Sequence, residues 1–207
     1  MLNEFYNYCN QFYGDNREIV GIYVSGGQGE TEPKLSDKWI TRMEQDAANR
    51  QRALNAYHKA QQNLKPGQTI RAFDCSGLIM YFLQNIKGIS DDRTARGIYS
   101  TLCTPIQQDM LYPGDLVFRA DASGKIVHCG IVLAKFDDDE HMYTILESKG
   151  RDYGVVQTFF RVGSGTWNRY GRLKCLETEI YKAQVCECAK HILLTIINDI
   201  DTAKEGL

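Results

Sequence analysis

A cysteine at the start of an apolar helical segment is the feature of this sequence best suited to chemistry. Cys75 follows Asp74 and precedes Ser76, Gly77 and an apolar run that reaches Leu83. Asp74 is a good N-cap residue, because its carboxylate can accept hydrogen bonds from the free N–H groups of a first helical turn. In that turn the positive end of the helix dipole favours a thiolate, which is the nucleophilic form of cysteine. A buried structural cysteine would suit the same position, because free cysteines are among the most buried residues.

A thiolate nucleophile needs a neighbouring base, and histidine can serve at neutral pH. The chain has four histidines, namely His58, His128, His141 and His191. Two of them fall in helical patterns and His141 follows an acidic turn, so we interpret these three as packing or solvated residues. His128 differs because it interrupts an apolar, strand-like segment, residues 126–133. A histidine in a strand more often forms ordinary hydrogen bonds, so further motifs must decide its role.

Three further motifs resemble those of the NlpC/P60 family of cell-wall cysteine peptidases. Residues 73–79, Phe-Asp-Cys-Ser-Gly-Leu-Ile, are similar to the nucleophile motif of that family. Residues 23–27 resemble the Tyr-Val-x-Gly-Gly segment that precedes it, and residues 113–118 with 127–133 resemble the strand pair that carries its histidine. The stretch 93–154 looks most like NlpC/P60 domains of phage and prophage lytic proteins. The resemblance covers roughly residues 19–29 and 71–173.

The resemblance implies a catalytic set of Cys75, His128 and Glu147. Glu147 stands where the family carries the acceptor that orients the imidazole, often a second histidine. A carboxylate can accept from the ring N–H, and it should make His128 more basic. The residue between His128 and Gly130 is often a small aliphatic in the family, and we interpret Cys129 as a core residue facing away from His128.

The same resemblance implies the surroundings of the nucleophile. Asp74 and Ser76 flank Cys75 where family members often contact an amine of the substrate peptide, and Tyr23 lines the site. The backbone N–H of Cys75 would help to hold the oxyanion. No metal or organic cofactor is implied.

The activity implied is hydrolysis of an amide bond in bacterial peptidoglycan stem peptides, commonly between γ-D-glutamate and a diamino acid. Motif order does not separate this from a CHAP-like amidase or a thiol acyltransferase. A noncatalytic wall-binding or phage structural module with the same fold is a further alternative.

Composition is consistent with one enzyme-sized domain. The chain has 207 residues, of which 43% are hydrophobic, and a formal net charge of −2. This charge gives no basis for binding nucleic acid or an anionic membrane surface. No apolar run has the length of a membrane span, and the N-terminus lacks a signal-peptide pattern. We therefore expect synthesis in the cytoplasm and action on the cell wall after lysis or phage-type release. The sequence does not specify an oligomeric state.

Seven cysteines at irregular spacing suggest free thiols rather than a disulfide framework. Cys186, Cys188 and His191 are close in the chain, but they do not make a complete zinc site because a fourth ligand is missing. We interpret them as ordinary positions of a helix.

The order of elements predicts an α+β protein with a papain-like NlpC/P60 fold, in which the nucleophile helix packs on an antiparallel sheet. Helical periodicity covers residues 2–13, 37–64 and 177–201, and the nucleophile helix should span about 75–86. Strands are predicted at 116–118, 126–133, 142–147, 154–160 and 169–173. We expect one catalytic domain over residues 1–176 and a C-terminal helical extension over 177–207.

The segment 30–70 is an insertion between two motifs that lie close together in the family. Its apolar stripe predicts one long helix from Asp37 to Leu64. The insertion either borders the substrate groove or simply packs against the domain.

Overall fold

The computed structural model describes residues 1–136, 139 and 141–190. Its helices are α1 (Leu2–Asn10), α2 (Asp37–Met43), α3 (Ala47–Gln62), α4 (Cys75–Lys87), α5 (Ala95–Gly97) and α6 (177–190). Its strands are β1 (Ile19–Tyr23), β2 (Gln28–Glu30), β3 (Thr69–Phe73), β4 (Cys103–Pro105), β5 (Leu116–Ala120), β6 (Ile126–Lys135), β7 (Met142–Gly150), β8 (Gly154–Arg161) and β9 (Arg169–Leu173). A π turn, Ile98–Leu102, follows α5, and a 3₁₀ turn occupies Gln108–Met110.

Two sheets form the framework. The larger has the order β4-β9-β5-β6-β7-β8, and all of its pairings are antiparallel. The smaller has the order β1-β3-β2, with β1 parallel to β3. The predicted α+β fold, with the helix that carries Cys75 packed on an antiparallel sheet, is confirmed. The strands β2, β3 and β4 were not predicted from the sequence.

Helix α4 lies against one face of the larger sheet. Asp74 caps its first turn, and Gly88 ends it in the left-handed conformation. Its fully buried side chains contact α1 and the inner residues of β5, β6 and β7 in the main core; they include Leu78, Ile79, Met80, Phe82 and Leu83. Alternate residues of the strands face a second cluster on the opposite side of the sheet, where Trp167 lies. Both faces of the sheet around the site are therefore covered.

The insertion does not form the single helix that the periodicity predicts from Asp37 to Leu64. Helix α2 ends at Met43, and α3 begins after Asp46, whose carboxylate accepts a hydrogen bond from the backbone N–H of Asn49. Between them, Glu44 turns inward and is 2% exposed. The chain breaks here because Glu44 has partners in the domain and Asp46 can cap a new helix.

The insertion nevertheless packs on the domain, and its two ends meet as expected. Strand β1 pairs with β3 from Ile19↔Thr69 to Tyr23↔Phe73. A parallel pair needs a long crossover, and the segment carrying α2 and α3 supplies it. The helices and the outer face of these strands share a small core, lined by Ile22, Val24, Leu35, Trp39, Ile40, Tyr57 and Ile70.

The C-terminal helix is described as far as residue 190, and the remainder of the predicted helix lies outside the described residues. Its Ile180 is fully buried in the main core. Gln184 accepts a 3.0 Å hydrogen bond from Arg172, which also forms a buried ion pair with Asp115. Helix α6 is thus tied to the sheet by both apolar and polar contacts.

One close contact in this fold places the loop before β2 directly on α4. A Cβ atom added to Gly77 would lie 1.8 Å from the carbonyl oxygen of Gly27. Since the Gly27 carbonyl is backbone and cannot rotate aside like a side chain, Gly77→Ala should destabilise the protein by about 3 kcal/mol, as overpacking does. Chemical denaturation would measure the change.

The matched control is Gly97→Ala, also in a helix. There the nearest atom is the flexible Arg93 Cδ, at 3.3 Å. We expect unchanged or slightly higher stability, because alanine is the better helix former. Equal effects of the two substitutions would show that the Gly27–Gly77 contact is not a constraint.

Candidate active site

Cys75 occupies the first position of α4, directly after its N-cap. The Asp74 carboxylate accepts from the backbone N–H of Gly77 at 2.7 Å and of Gly26 at 3.0 Å. The Ser76 hydroxyl donates to the same carboxylate at 2.9 Å. Burial raises the pKa of Asp74, an effect that these hydrogen bonds partly offset. Both predicted substrate contacts, Asp74 and Ser76, therefore flank the nucleophile, and Asp74 also braces the loop at Gly26.

His128 and Glu147 form a buried pair on the neighbouring strands β6 and β7. The ring nitrogen Nε2 of His128 lies 2.7 Å from Glu147 Oε2, and both side chains are less than 10% exposed. The side chain of Cys75 interacts with His128 and raises the pKa of the imidazole. Because Glu147 occupies Nε2, Nδ1 is the nitrogen left for the thiol. The structure thus brings Cys75, His128 and Glu147 together in the order that the sequence predicted.

A fourth polar side chain completes this row. The hydroxyl of Thr158, on β8, donates to Glu147 Oε1 at 2.6 Å. Thr158 pairs with Ile145, two residues from Glu147 on the same strand face, so the two side chains are diagonal neighbours. Both oxygens of Glu147 are therefore engaged, and the carboxylate has a defined orientation. Thr158 was not among the residues predicted from the sequence.

These contacts favour an ion pair between the thiol and the imidazole. The neighbouring Cys129 and the interactions with His128 outweigh burial and lower the pKa of Cys75 to about 5. Burial alone would lower the pKa of His128, but Cys75 and Glu147 raise it to about 9. Burial would raise the pKa of Glu147, but hydrogen bonds from His128 and Thr158 hold it below its usual value. At a pH between the pKa of Cys75 and the pKa of His128, the site therefore holds a thiolate, an imidazolium and a carboxylate.

Cys129 is a core residue, as expected, and it also contacts the nucleophile. It is fully buried in the main core, whereas His128 stacks on Trp167 in the cluster across the sheet. The thiol of Cys129 donates to the backbone carbonyl of Cys75 at 3.1 Å. The only trace of this role in the sequence is its position next to His128.

Trp167 is a second residue of the site that was not predicted from the sequence. Its ring centroid lies 5.3 Å from that of His128, with an angle of 25° between the planes. Gly130, two residues beyond His128, leaves space for it, since an added Cβ would lie 3.4 Å from the indole. Trp167 follows a glycine- and serine-rich turn, and no periodic pattern marks it. The stacked indole limits rotation of the imidazole and keeps water from that face.

Tyr23 lies at the end of β1, half-buried beside the nucleophile. Burial raises the pKa of Tyr23 well above its usual value, and the nearby Cys75 and Asp74 add to this effect. The guanidinium of Arg151 lies 5.1 Å from the ring centroid. The predicted position of Tyr23 at the edge of the site agrees with this arrangement.

Two negative findings apply to the described part of the chain. Residues 1–136, 139 and 141–190 contain no cluster of three or more His, Cys, Asp or Glu side chains suited to a metal ion. Cys186 and Cys188 are exposed on α6, and His191 lies outside the described residues. Among the helices of this described part, none is long and apolar enough to cross a membrane.

Comparison with models of known families gives a match over just under half of the chain. Residues 61–162 match the model of the NlpC/P60 family, which confirms the family predicted from the motifs. The matched segment contains Asp74, Cys75, Ser76, His128 and Glu147, and Tyr23 lies outside it.

One similar solved structure is the NlpC/p60 domain of the peptidoglycan hydrolase SagA. It is 20% identical over 62% of this chain and 99% of that one, with a TM-score of 0.35. No curated protein is significantly similar to the chain.

The effect of Cys129 on the pKa of Cys75 can be tested by substitution. Cys129→Ala removes the thiol that favours the charged form of Cys75, so the pKa of Cys75 should rise by roughly one pH unit. The pH dependence of Cys75 alkylation by iodoacetamide measures it, since only the thiolate reacts.

The matched control is Cys9→Ala, which removes a buried thiol from α1 in the same core. It should leave the alkylation midpoint at about pH 5. A wild-type midpoint in Cys129→Ala would mean that Cys129 only packs.

Proposed function

We propose that this protein is a thiol hydrolase that cleaves an amide bond in peptidoglycan stem peptides. The observation that carries the proposal is the row Cys75–His128–Glu147, in which a buried imidazole lies between a thiol of lowered pKa and a carboxylate. The match to the NlpC/P60 family supports this chemistry. The bond proposed is that between γ-D-glutamate and a diamino acid.

The proposed reaction begins with the ion pair. The Cys75 thiolate attacks the amide carbonyl, and the backbone N–H of Cys75 stabilises the oxyanion. His128 Nδ1 donates its proton to the departing amine, which leaves a thioester on Cys75. The neutral imidazole then removes a proton from water, and the resulting hydroxide attacks the thioester. Collapse releases the acid product, and the proton on His128 restores the thiolate–imidazolium pair.

Glu147 acts through His128 in this scheme. It accepts from Nε2–H, which selects the tautomer that presents Nδ1 to the thiol, and its charge stabilises the imidazolium. Thr158 holds the second carboxylate oxygen, so Glu147 cannot rotate freely away from the ring. No step of this reaction requires a metal or an organic cofactor.

Two other functions compete with this one. A CHAP-like amidase or a thiol acyltransferase would use the same thioester and differ only in the bond cleaved or the acceptor. A noncatalytic wall-binding or phage structural module would not need a buried Cys–His–Glu row, which is costly to maintain. We therefore favour the hydrolase and propose that it acts on the cell wall as a lytic protein of phage type, after release.

One prediction concerns the bond that is cleaved. Purified cell walls treated with the protein should lose turbidity, and mass spectrometry should show stem peptides cut after γ-D-glutamate. Cys75→Ala should abolish both, because it removes the nucleophile. Cleavage by Cys75→Ala would exclude the thiol mechanism. New amide adducts without hydrolysis would identify an acyltransferase.

A second prediction concerns pH and Glu147. Hydrolysis should rise through about pH 5 as the Cys75 thiolate forms and fall through about pH 9 as the His128 imidazolium loses its proton. Glu147→Gln keeps an acceptor oxygen but loses the charge, so kcat/KM should fall roughly tenfold or more. The upper limb should also move to lower pH, because the carboxylate no longer raises the pKa of His128.

The control for this prediction is Glu18→Gln, an exposed glutamate that precedes β1. It should leave the rate and the pH profile unchanged. A wild-type profile in Glu147→Gln would show that another group orients His128.

A further inference from the structure

Glu44 is a buried carboxylate that belongs to the insertion but not to the catalytic row. Its Oε1 accepts from the backbone N–H of Ser25 at 2.9 Å and from Arg151 Nε at 3.0 Å. Its Oε2 accepts from Arg151 Nη2 at 2.6 Å. A carboxylate that is 2% exposed is costly unless it is fully paired, and here Arg151 pairs with it through both oxygens.

Arg151 connects this carboxylate to the edge of the active site. It lies in the turn between β7, which carries Glu147, and β8. Its Nη2 donates to the Ser25 hydroxyl at 2.8 Å, and its guanidinium covers the ring of Tyr23. A planar guanidinium can form a bidentate pair and stack on an aromatic ring at the same time, which lysine cannot do.

The segment Ser25–Gly27 lies between this pair and the nucleophile. On one side Ser25 binds Glu44 and Arg151. On the other side Gly26 donates to Asp74, and the Asp74 N–H donates to the Gly27 carbonyl at 2.9 Å. The contact of Gly27 with Gly77 leaves this segment no space to move toward α4. Displacing Glu44 would therefore free Ser25 and Arg151 on the side away from α4. The backbone of Tyr23 would stay paired with Phe73, but its ring would lose the guanidinium that holds it in place.

We propose that Glu44 and Arg151 are positioning residues that hold Tyr23 as a wall of the substrate site. The inference rests on the proposed function. It gives the insertion a part in binding the stem peptide. The residue responsible is Glu44, which lies at the break between α2 and α3 and reaches the edge of the site.

The chemistry of the wall indicates what it binds. The charges of Glu44 and Arg151 cancel, so the wall presents an aromatic face and a neutral hydroxyl donor. Such a surface suits an uncharged part of the peptide, such as a backbone carbonyl beside the scissile bond. It offers no free charge for a carboxylate or an amine.

A second ion pair joins the same two segments and provides a matched control. Arg52 of α3 binds Asp152, the residue after Arg151, with Nε 2.8 Å from Oδ1. Their side chains are 48% and 53% exposed. Exposed pairs contribute little, so loss of this pair should not move Tyr23.

The experiment compares four single variants and one double variant of the full chain on purified muropeptides. In Glu44→Gln and Arg151→Lys, KM should rise roughly tenfold while kcat stays within about threefold, because substrate binding and not the thiol chemistry is affected. Arg52→Ala should keep both constants. Tyr23→Ala should raise KM similarly, and Glu44→Gln should add little to it, since both act through the same side chain.

Alkylation of Cys75 by iodoacetamide provides a readout that does not depend on the wall. Its rate should be unchanged in all four variants, since a small reagent needs no peptide contacts. A loss of alkylation and kcat together in Glu44→Gln and Arg151→Lys would show general support of the site and overturn the inference.

The remaining outcomes separate the inference from the proposed function. Wild-type KM in Glu44→Gln and Arg151→Lys, with an active parent protein, overturns the inference alone. If Glu44→Gln does not fold, the KM of Arg151→Lys decides, because it keeps the buried charge pair. A parent protein that cleaves no muropeptide overturns the proposed function and this inference together.

Discussion

The burial of three interacting polar groups where α4 meets the larger sheet is the constraint on which the rest of the structure depends. A thiolate, an imidazolium and a carboxylate are costly to remove from water unless each has partners. Every member of this row has them. The helix N-terminus, Cys129 and His128 surround the thiol, and Glu147 with Thr158 completes the row. Because these groups are buried, the residues packed around them can adopt few other positions.

The backbone around Cys75 shows the effect of this constraint. Asp74 satisfies the first turn of α4 and also binds Gly26, so the helix and the preceding loop are positioned together. A side chain at Gly77 would push the helix from the loop, because its Cβ would lie 1.8 Å from the Gly27 carbonyl oxygen. A side chain at Gly27 would push the loop from β3, because its Cβ would lie 2.9 Å from the backbone of Ala72 and Phe73. The glycines of the two motifs are therefore explained by close backbone contacts of the loop with α4 on one side and with β3 on the other.

The insertion has two structural roles. It provides the crossover that the parallel pair β1–β3 requires, and its helices cover the outer face of these strands with a small core. It also brings Glu44 to Arg151, which lies 107 positions further along the chain. Its packing role, which the apolar stripe suggested, is thus compatible with a contact at the edge of the site.

The sequence by itself determined the features that depend on local physics. Asp74 before Cys75 marks the capped start of α4, and apolar runs between polar or glycine-bearing turns mark β5 to β9. Both signals involve residues close in the chain. The motifs also placed Cys75, His128 and Glu147 in one site. Only the tertiary structure revealed the break at Glu44, the donors Cys129 and Thr158, and the indole of Trp167 on His128. Each of these depends on a partner distant in sequence, and such contacts leave no periodic signal in a single chain.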